Sequence, residues 1–334
     1  MSGQLFTHYF LTDGIKVTPE WKASVDQSET FGKFGDALLC LYTGFSGFQE
    51  PNEAVTEQNL IRPILELLGW IDYLPQQGAS RNEDIPDHLL FAGAKSKLRA
   101  AAKKRPDDRF RDALAVEESK RFGRALDARD QVGQMKAGTP HGQILRYLST
   151  AEIVSDNRIR WGILTNGGVW RLYDYRARPR ASGYFEAELA EMLKPGNEDL
   201  LRLFHLLFRR DSFTLKKGAT SSFLELALAE GKRYEEQVAQ DLSGIVFESA
   251  YPKLVEALAD ATGENLPDVR QSALIFLYRL LFVLYAEDRN LLPVNDLRYD
   301  DYGLRKRVRD EIARRMAVGD AYSSVASSYY DRLV

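Results

Sequence analysis

Thr165-Asn166-Gly167-Gly168 separates two short, β-prone apolar runs at residues 160–164 and 169–173. Asn-Gly and Gly-Gly take up the positive φ values of a tight turn at little steric cost, so this segment reads as a β-hairpin. An isolated hairpin is marginal in water and needs further strands or a helix against it. The sequence upstream supplies both. Residues 70–74 are short and apolar, 84–91 end in a β-prone run, and 113–116 lead into Glu117, Glu118, Ser119 and Lys120. A helix is expected over 138–154. Another is expected over 52–68, where Leu60, Ile61, Ile64, Leu65 and Leu68 form one stripe before Gly69 stops it. The order helix, three strands, helix, two strands describes a mixed sheet flanked by helices, an α/β (α+β) domain.

This domain is expected over residues 51–196. Residues 1–50 form a helical cap, with Phe31, Phe34, Leu38 and Leu41 at helical spacing within 29–42. Residues 177–182 (ARPRAS) and Lys194-Pro195-Gly196 punctuate the end of the sheet. Residues 197–334 read as a second, all-helical domain, with helices over 199–208, 221–247, 251–261, 267–286 and 302–316. Pro252 and Pro267 fall near helix starts, where proline is tolerated. The final SSYYDRLV reads as a helix cut short, so continuation past Val334 is expected.

The chain of 334 residues carries 45 Lys and Arg against 48 Asp and Glu, a net charge of −3, which excludes a wholesale basic coat. The charge is uneven. Residues 95–146 hold 14 basic and 7 acidic side chains (14 − 7 = +7), a local belt suited to a polyanion on one face. Cys40 is the sole cysteine, so neither an internal disulfide nor a Cys-rich zinc site can form. The start MSGQLFTHYF lacks a secretory design. The most apolar stretch, 273–286, is interrupted by Arg279 and reads as too short to span a bilayer. A cytoplasmic protein without a membrane partner is expected.

The chemistry concentrates on the strands. Pro86-Asp87 lies in the second, and Glu118-Ser119-Lys120 closes the third. Residues i and i+2 of a strand share a face, so Glu118 and Lys120 point the same way. If the two strands pair, Asp87 joins them. Two carboxylates and waters suit Mg²⁺. The lysine can polarise a water or offset charge on a phosphate, the first helped by a lysine pKa depressed near a metal. Glu57, on the first turn of its helix, is a candidate accessory acid. Gln143 and Tyr147 lie four apart on one face of the later helix. His88 should point to the other strand face, and His8, His141 and His205 are scattered. Singly, each pattern is common on protein surfaces; their order along the chain gives them weight.

These residues resemble the PD-(D/E)xK nuclease superfamily. More narrowly, the chain looks like the nuclease end of single-chain type II (type IIG/IIL-like) restriction–modification enzymes. The resemblance covers about residues 50–334 and rests on EQNLIRPILELLGW (57–70), Pro86-Asp87, VEESKR (116–121), QILRYL (143–148) and WGILTNGGVWRLY (161–173), with YRLLFVLYAEDRNLLP (278–293) in the helical part. It implies a restriction-endonuclease-like mixed sheet followed by a helical connector or spacer. It implies Asp87 and Glu118 as Mg²⁺ ligands, Lys120 as the catalytic lysine, Glu57 as an accessory acid, and Gln143 with Tyr147 as a glutamine–tyrosine element. Double-stranded DNA is the implied partner, with a transient dimer on DNA to cut both strands. Fused or partner methyltransferase and specificity domains are implied beyond Val334, and S-adenosylmethionine belongs to that missing part alone. One departure is the interval 92–112. Residues 92–111 hold eight Lys and Arg and two Asp (8 − 2 = +6) and read as a basic helical insertion whose Lys95, Lys97, Arg99, Lys103, Lys104 and Arg105 contact phosphates.

No Gly-x-x-x-x-Gly-Lys-[Ser/Thr] loop, S-adenosylmethionine motif or Asn-Pro-Pro-aromatic tetrapeptide occurs, so an ATP motor and methyl transfer are not expected in this chain. The competing expectations are an idle nuclease-like module that docks or regulates an adenine methyltransferase in phage defence, and a helical scaffold that binds protein.

Overall fold

The computed structural model describes residues 3–319 apart from 76–84, 129–137, 157, 264, 289–290, 295, 297 and 300–302. The terminal SSYYDRLV and the beginning of the 84–91 run lie outside the described residues.

The hairpin forms around Asn166. Its Oδ1 accepts from the N–H groups of Gly168 at 3.0 Å and Val169 at 2.6 Å, and Gly167 takes φ +83° between them. The turn joins β4 (Trp161–Thr165) to β5 (Val169–Asp174) in antiparallel register. Upstream lie β1 (Tyr73–Pro75), β2 (His88–Leu90) and β3 (Ala115–Ser119), and downstream β6 (Tyr184–Glu188). The strands order sequentially in one six-stranded sheet. Neighbours are antiparallel except β3 and β4, which run parallel. A parallel pair needs a long crossover, and a helix over Pro140–Val154 provides it. The mixed α/β architecture is therefore as read from the sequence, with one strand more. The sixth was missed because Tyr184-Phe-Glu-Ala-Glu is short and passes straight into a helix. Its alternate Phe185 and Ala187 are fully buried.

In chain order the helices of the first unit are α1 (His8–Thr12), α2 (Pro19–Asp26), α3 (Ser28–Phe45), α4 (Glu53–Thr56), α5 (Arg62–Leu67), α6 (Ala94–Ala101), α7 (Pro106–Arg109), α8 (Pro140–Val154), α9 (Leu189–Met192) and α10 (Glu198–Phe208). The basic interval 92–112 is helical as expected, holding α6, α7 and a 3₁₀ turn. Side-chain oxygens of Thr18, Asn52 and Thr139 cap α2, α4 and α8. The helix read over 52–68 is not uniform. A π turn at Glu57–Ile61 separates α4 from α5. Pro63 explains it: proline offers no N–H and its ring crowds the carbonyl four residues back, so the helix widens ahead of it.

Each face of the sheet has its own core. On one side Leu60, Ile61, Ile64 and Leu65 join Leu38 of α3, Phe204 and Phe208 of α10, and Ile163, Trp170 and Leu172 of the sheet. On the other, Ile144, Tyr147, Leu148 and Ala151 of α8 cover Leu89, Val116 and Leu164. Leu5, Phe6 and Phe10 belong to the first of these cores, so the N-terminal segment is integral to the sheet domain.

The chain divides into two compact units, Met1–Glu236 and Gln237–Val334, whereas the sequence pattern suggested divisions near 50 and 196. Packing of α10 against Trp170 accounts for the later division. Beyond α10 come α11 (Phe223–Gly244), α12 (Tyr251–Thr262), α13 (Leu266–Asp288) and α14 (Asp310–Ala317). Pro252 does open α12, and a π turn at Ile245–Ala250 precedes it as one precedes Pro63. In the second unit α12 packs on α13 through Val255, Val269 and Ala273. Buried Glu287 accepts from the N–H groups of Leu304 at 2.8 Å and Arg305 at 2.7 Å, closing the start of the last helical segment. The apolar stretch read as 273–286 sits in a helix of 23 residues, Leu266–Asp288. It is therefore long and apolar enough to cross a membrane, contrary to the sequence reading, although one such helix among the described residues is weak evidence of a membrane protein.

Candidate active site

β2 and β3 pair with His88 opposite Glu117, which sets Asp87 beside Glu118 on one face and His88 beside Glu117 on the other. The two outward carboxylates brace the strands reciprocally. The Asp87 N–H donates to Glu118 Oε2 at 3.2 Å, and the Ser119 N–H donates to Asp87 Oδ2 at 2.9 Å. Lys120 Nζ lies 2.5 Å from Glu118 Oε1, with only 12% of its side chain exposed. The expected convergence of Asp87, Glu118 and Lys120 is present in this structure.

Burial sets the electrostatics. Desolvation, then Glu117, push Asp87 up to about 6, with Lys120 in part offsetting them. Desolvation and the charge of Asp87 push Glu118 up to about 8. Burial works against the Lys120 ammonium, but Glu118 and Glu53 outweigh it and its pKa rises. The depressed lysine considered from sequence was one beside a metal ion; the protein's own groups act the other way, because two carboxylates face Lys120.

Gln143 Nε2 donates to the Tyr147 hydroxyl, so the two act as one element. Burial and Glu118 raise the Tyr147 pKa, which places that hydroxyl within reach of the site's field. Gln143, Lys120, Glu53, Arg121, Arg124, Gly138 and Pro140 line a cavity of about 280 Å³.

Glu57 is placed elsewhere. Its carboxylate lies 3.2 Å from His88 Nε2 and 2.5 Å from Arg62 Nη2, on the far side of the β2–β3 pair. The neighbouring His88 imidazolium, with Arg62, holds its pKa low. His88 Nδ1 in turn meets Glu117 Oε2 at 2.7 Å, and Ser119 Oγ donates to Glu117 Oε1 at 2.8 Å. The acid that faces Lys120 is Glu53, one turn earlier. The sequence offered both acids on the same helix start; their contacts distinguish them, Glu57 meeting His88 and Arg62 and Glu53 lining the cavity with Lys120.

Among the basic residues, Lys95, Arg99, Lys103, Lys104 and Arg105 are exposed on α6 and the segment after it. Arg99 is held by Asp112 at 2.8 Å, and Lys97 lies 5.8 Å from the Tyr73 ring centroid. Arg121 and Arg124 were not singled out from sequence, although the VEESKR string contains the first.

No three His, Cys, Asp or Glu side chains form a metal-binding group among the described residues. The donor set is two carboxylates, a number that Mg²⁺ accepts with waters and phosphate oxygens completing its shell. The mutual repulsion of Asp87 and Glu118 is the feature a divalent cation would relieve. Compared with protein-family models, curated proteins and solved structures, the chain matches none.

Proposed function

We propose that this chain is a Mg²⁺-dependent endonuclease that hydrolyses phosphodiester bonds of double-stranded DNA, on a restriction-endonuclease-like sheet. The observation that carries this is the Asp87–Glu118–Lys120 cluster: a half-buried and a buried carboxylate with raised pKa values, cross-braced to each other's strands, beside a half-buried ammonium. Asp87 and Glu118 would hold the ion. Bound Mg²⁺ supplies Lewis-acid stabilisation of charge on the phosphoryl oxygens. Lys120, kept protonated by its two acidic neighbours, would contribute a fixed positive charge where the oxygens around the pentacoordinate phosphorus gather negative charge. Gln143, held by Tyr147, offers an amide to a phosphate oxygen or to water at the cavity wall. The exposed lysines of α6 and its following segment neutralise backbone phosphates without reading sequence.

One such site cuts one strand, so a double-strand break takes a second copy on DNA. In the wider proposal the chain is the nuclease and spacer part of a cytoplasmic restriction–modification enzyme, whose methyl transfer and base recognition lie outside residues 1–334. Nicking of supercoiled plasmid by the chain, with Mg²⁺ against EDTA, tests the activity. Cleavage lost in Asp87→Asn and Lys120→Ala supports it. Equal behaviour of wild type and variants rejects it, and salt-dependent duplex binding without cleavage favours the docking module.

A further inference from the structure

The segment after Lys120 has no regular secondary structure, yet it is tied down along its length. Lys120 N–H donates to Thr165 O at 2.7 Å, and Phe122 N–H donates to Thr56 Oγ1 at 3.0 Å. Arg124 O accepts from Asn166 Nδ2 at 2.9 Å, and Leu126 O accepts from His141 N–H at 2.9 Å. Asp127 is gripped by both terminal nitrogens of Arg171 at 2.8 and 2.6 Å. Every second residue from 120 to 126 is thus fixed, and the next is clamped by an ion pair. Loops fixed to this degree hold side chains in a preset geometry.

What this segment presents is Arg121 and Arg124, which line the cavity with Lys120. Arg124 Nη2 donates to Ala128 O at 3.1 Å, which steadies its guanidinium. Arg121 is exposed. Gly138 and Pro140, at the start of α8, line the same cavity.

The clamps come from the hairpin. Asn166 uses Oδ1 to close its own turn and Nδ2 to hold Arg124 O, so one amide fixes both. Arg171 is buried on β5, bonds Glu186 at 2.6 Å, and stacks 4.4 Å from the Tyr184 ring centroid. Neither residue lines the cavity, and the chemistry assigned to the site uses neither.

We infer that residues 121–124 form a second phosphate subsite beside the cleavage site, which takes a non-scissile backbone phosphate of the DNA on Arg121 and Arg124, and that Asn166 and Arg171 are its positioning residues. The inference rests on the nuclease reading and extends it from one phosphate to two. It also gives the LTNGGVWRLY string a task that a turn alone does not explain. A turn needs Asn166 Oδ1 and the glycines; it does not need Nδ2 or a buried arginine aimed at Asp127.

The test is binding of a fluorescently labelled DNA duplex to the full chain across a salt series in EDTA, beside plasmid nicking in Mg²⁺. Arg121→Gln and Arg124→Gln should each weaken binding by about tenfold and make the slope of log K against log salt shallower by about 1. Asn166→Asp keeps the acceptor of the turn and loses the donor to Arg124; it should show the same loss of slope without changing any cavity-lining side chain. Asp127→Asn should follow it. Because Arg121 is exposed, its variant reports on the subsite even where Asn166→Asp melts early. An unchanged slope in Arg121→Gln overturns the subsite, and an unchanged slope in folded Asn166→Asp overturns the positioning role. Asp87→Asn separates this from the cleavage chemistry. If that variant nicks as wild type while the arginine variants lose slope, the nuclease reading fails and the phosphate subsite stands.

Discussion

His88 Nδ1 lies 2.7 Å from Glu117 Oε2, directly behind the carboxylates of Asp87 and Glu118. The β2–β3 pair therefore carries charge on both faces. Strand alternation puts Asp87 and Glu118 on the α8 face with Leu89 and Val116, and His88 and Glu117 on the opposite face with Leu90 and Ala115. Burial alone would lower the His88 pKa, but Glu117 and Glu57 outweigh it and bring it to about 10. A protonated His88 is thus locked between two acids, and the charge of Glu117 reaches through the strand to raise Asp87.

The stability this imidazolium provides is full below its ordinary value of 6.5 and is lost as pH rises through about 10. Replacing His88 by Gln leaves Glu117 buried without its cation and should cost roughly 3–5 kcal/mol at neutral pH. Thermal melts of both proteins from pH 6 to pH 10 check this. The gap between them should narrow as pH rises, whereas a constant gap would show that the ion pair is not its origin.

Asp87 and Glu118 titrate in the same direction. Both carry pKa values raised above their ordinary 3.8 and 4.5, so folding is disfavoured progressively as pH rises from about 4 through about 6 and 8. Mg²⁺ competes with those protons and relieves the repulsion. The rise in melting temperature on adding Mg²⁺ should be larger at pH 8 than at pH 5. In EDTA at pH 8, Asp87→Asn should melt above wild type. Equal Mg²⁺ shifts at the two pH values would remove the two carboxylates as ligands.

Glu53 and Glu57 separate a site acid from a structural one. Glu53→Gln changes an exposed side chain that faces Lys120 across the cavity and should lower nicking by about tenfold with little change in melting. Glu57→Gln removes a partner of His88 and Arg62 and should lower the melting temperature. Single-turnover nicking and melts of both variants decide. The reverse pattern would return the accessory role to Glu57.

The central pair was legible because two local rules agree. Strand alternation aligns Glu118 with Lys120, and consecutive strands tend to pair, which brings in Asp87. The Gln143–Tyr147 contact was legible from i, i+4 spacing. Glu53 was not, because two acids four residues apart on one helix start look alike in sequence, and the partners that separate them, His88 and Lys120, lie on or next to distant strands. Arg171 was hidden for a different reason. Its partner Asp127 lies 44 residues away, and nothing local marks a strand arginine as a clamp. The tie between Phe122 and Thr56 spans 66 residues and is equally silent in sequence.

Gly167 is where the hairpin, the α4 segment with its π turn and, through Thr56, the loop after Lys120 meet. It adopts φ +83°, and a Cβ there would stand 2.5 Å from Leu60 Cδ2 and 3.5 Å from Thr56 Cγ2. Gly167→Ala therefore combines left-handed backbone strain of about 1–2 kcal/mol with overpacking of about 1–3 kcal/mol. Gly218 has nearly the same φ, +82°, and a methyl group there would meet nothing within 4 Å. Gly218→Ala should thus show the strain alone, a loss of about 1–2 kcal/mol. Urea unfolding of the two variants isolates the packing contribution as their difference. Because Thr56 also holds Phe122, a Gly167→Ala variant that stays folded should bind duplex DNA more weakly than Gly218→Ala. Equal losses in both assays would mean that the helix yields to the methyl group, and that the contact of Gly167 with Leu60 is not what fixes the hairpin against the site.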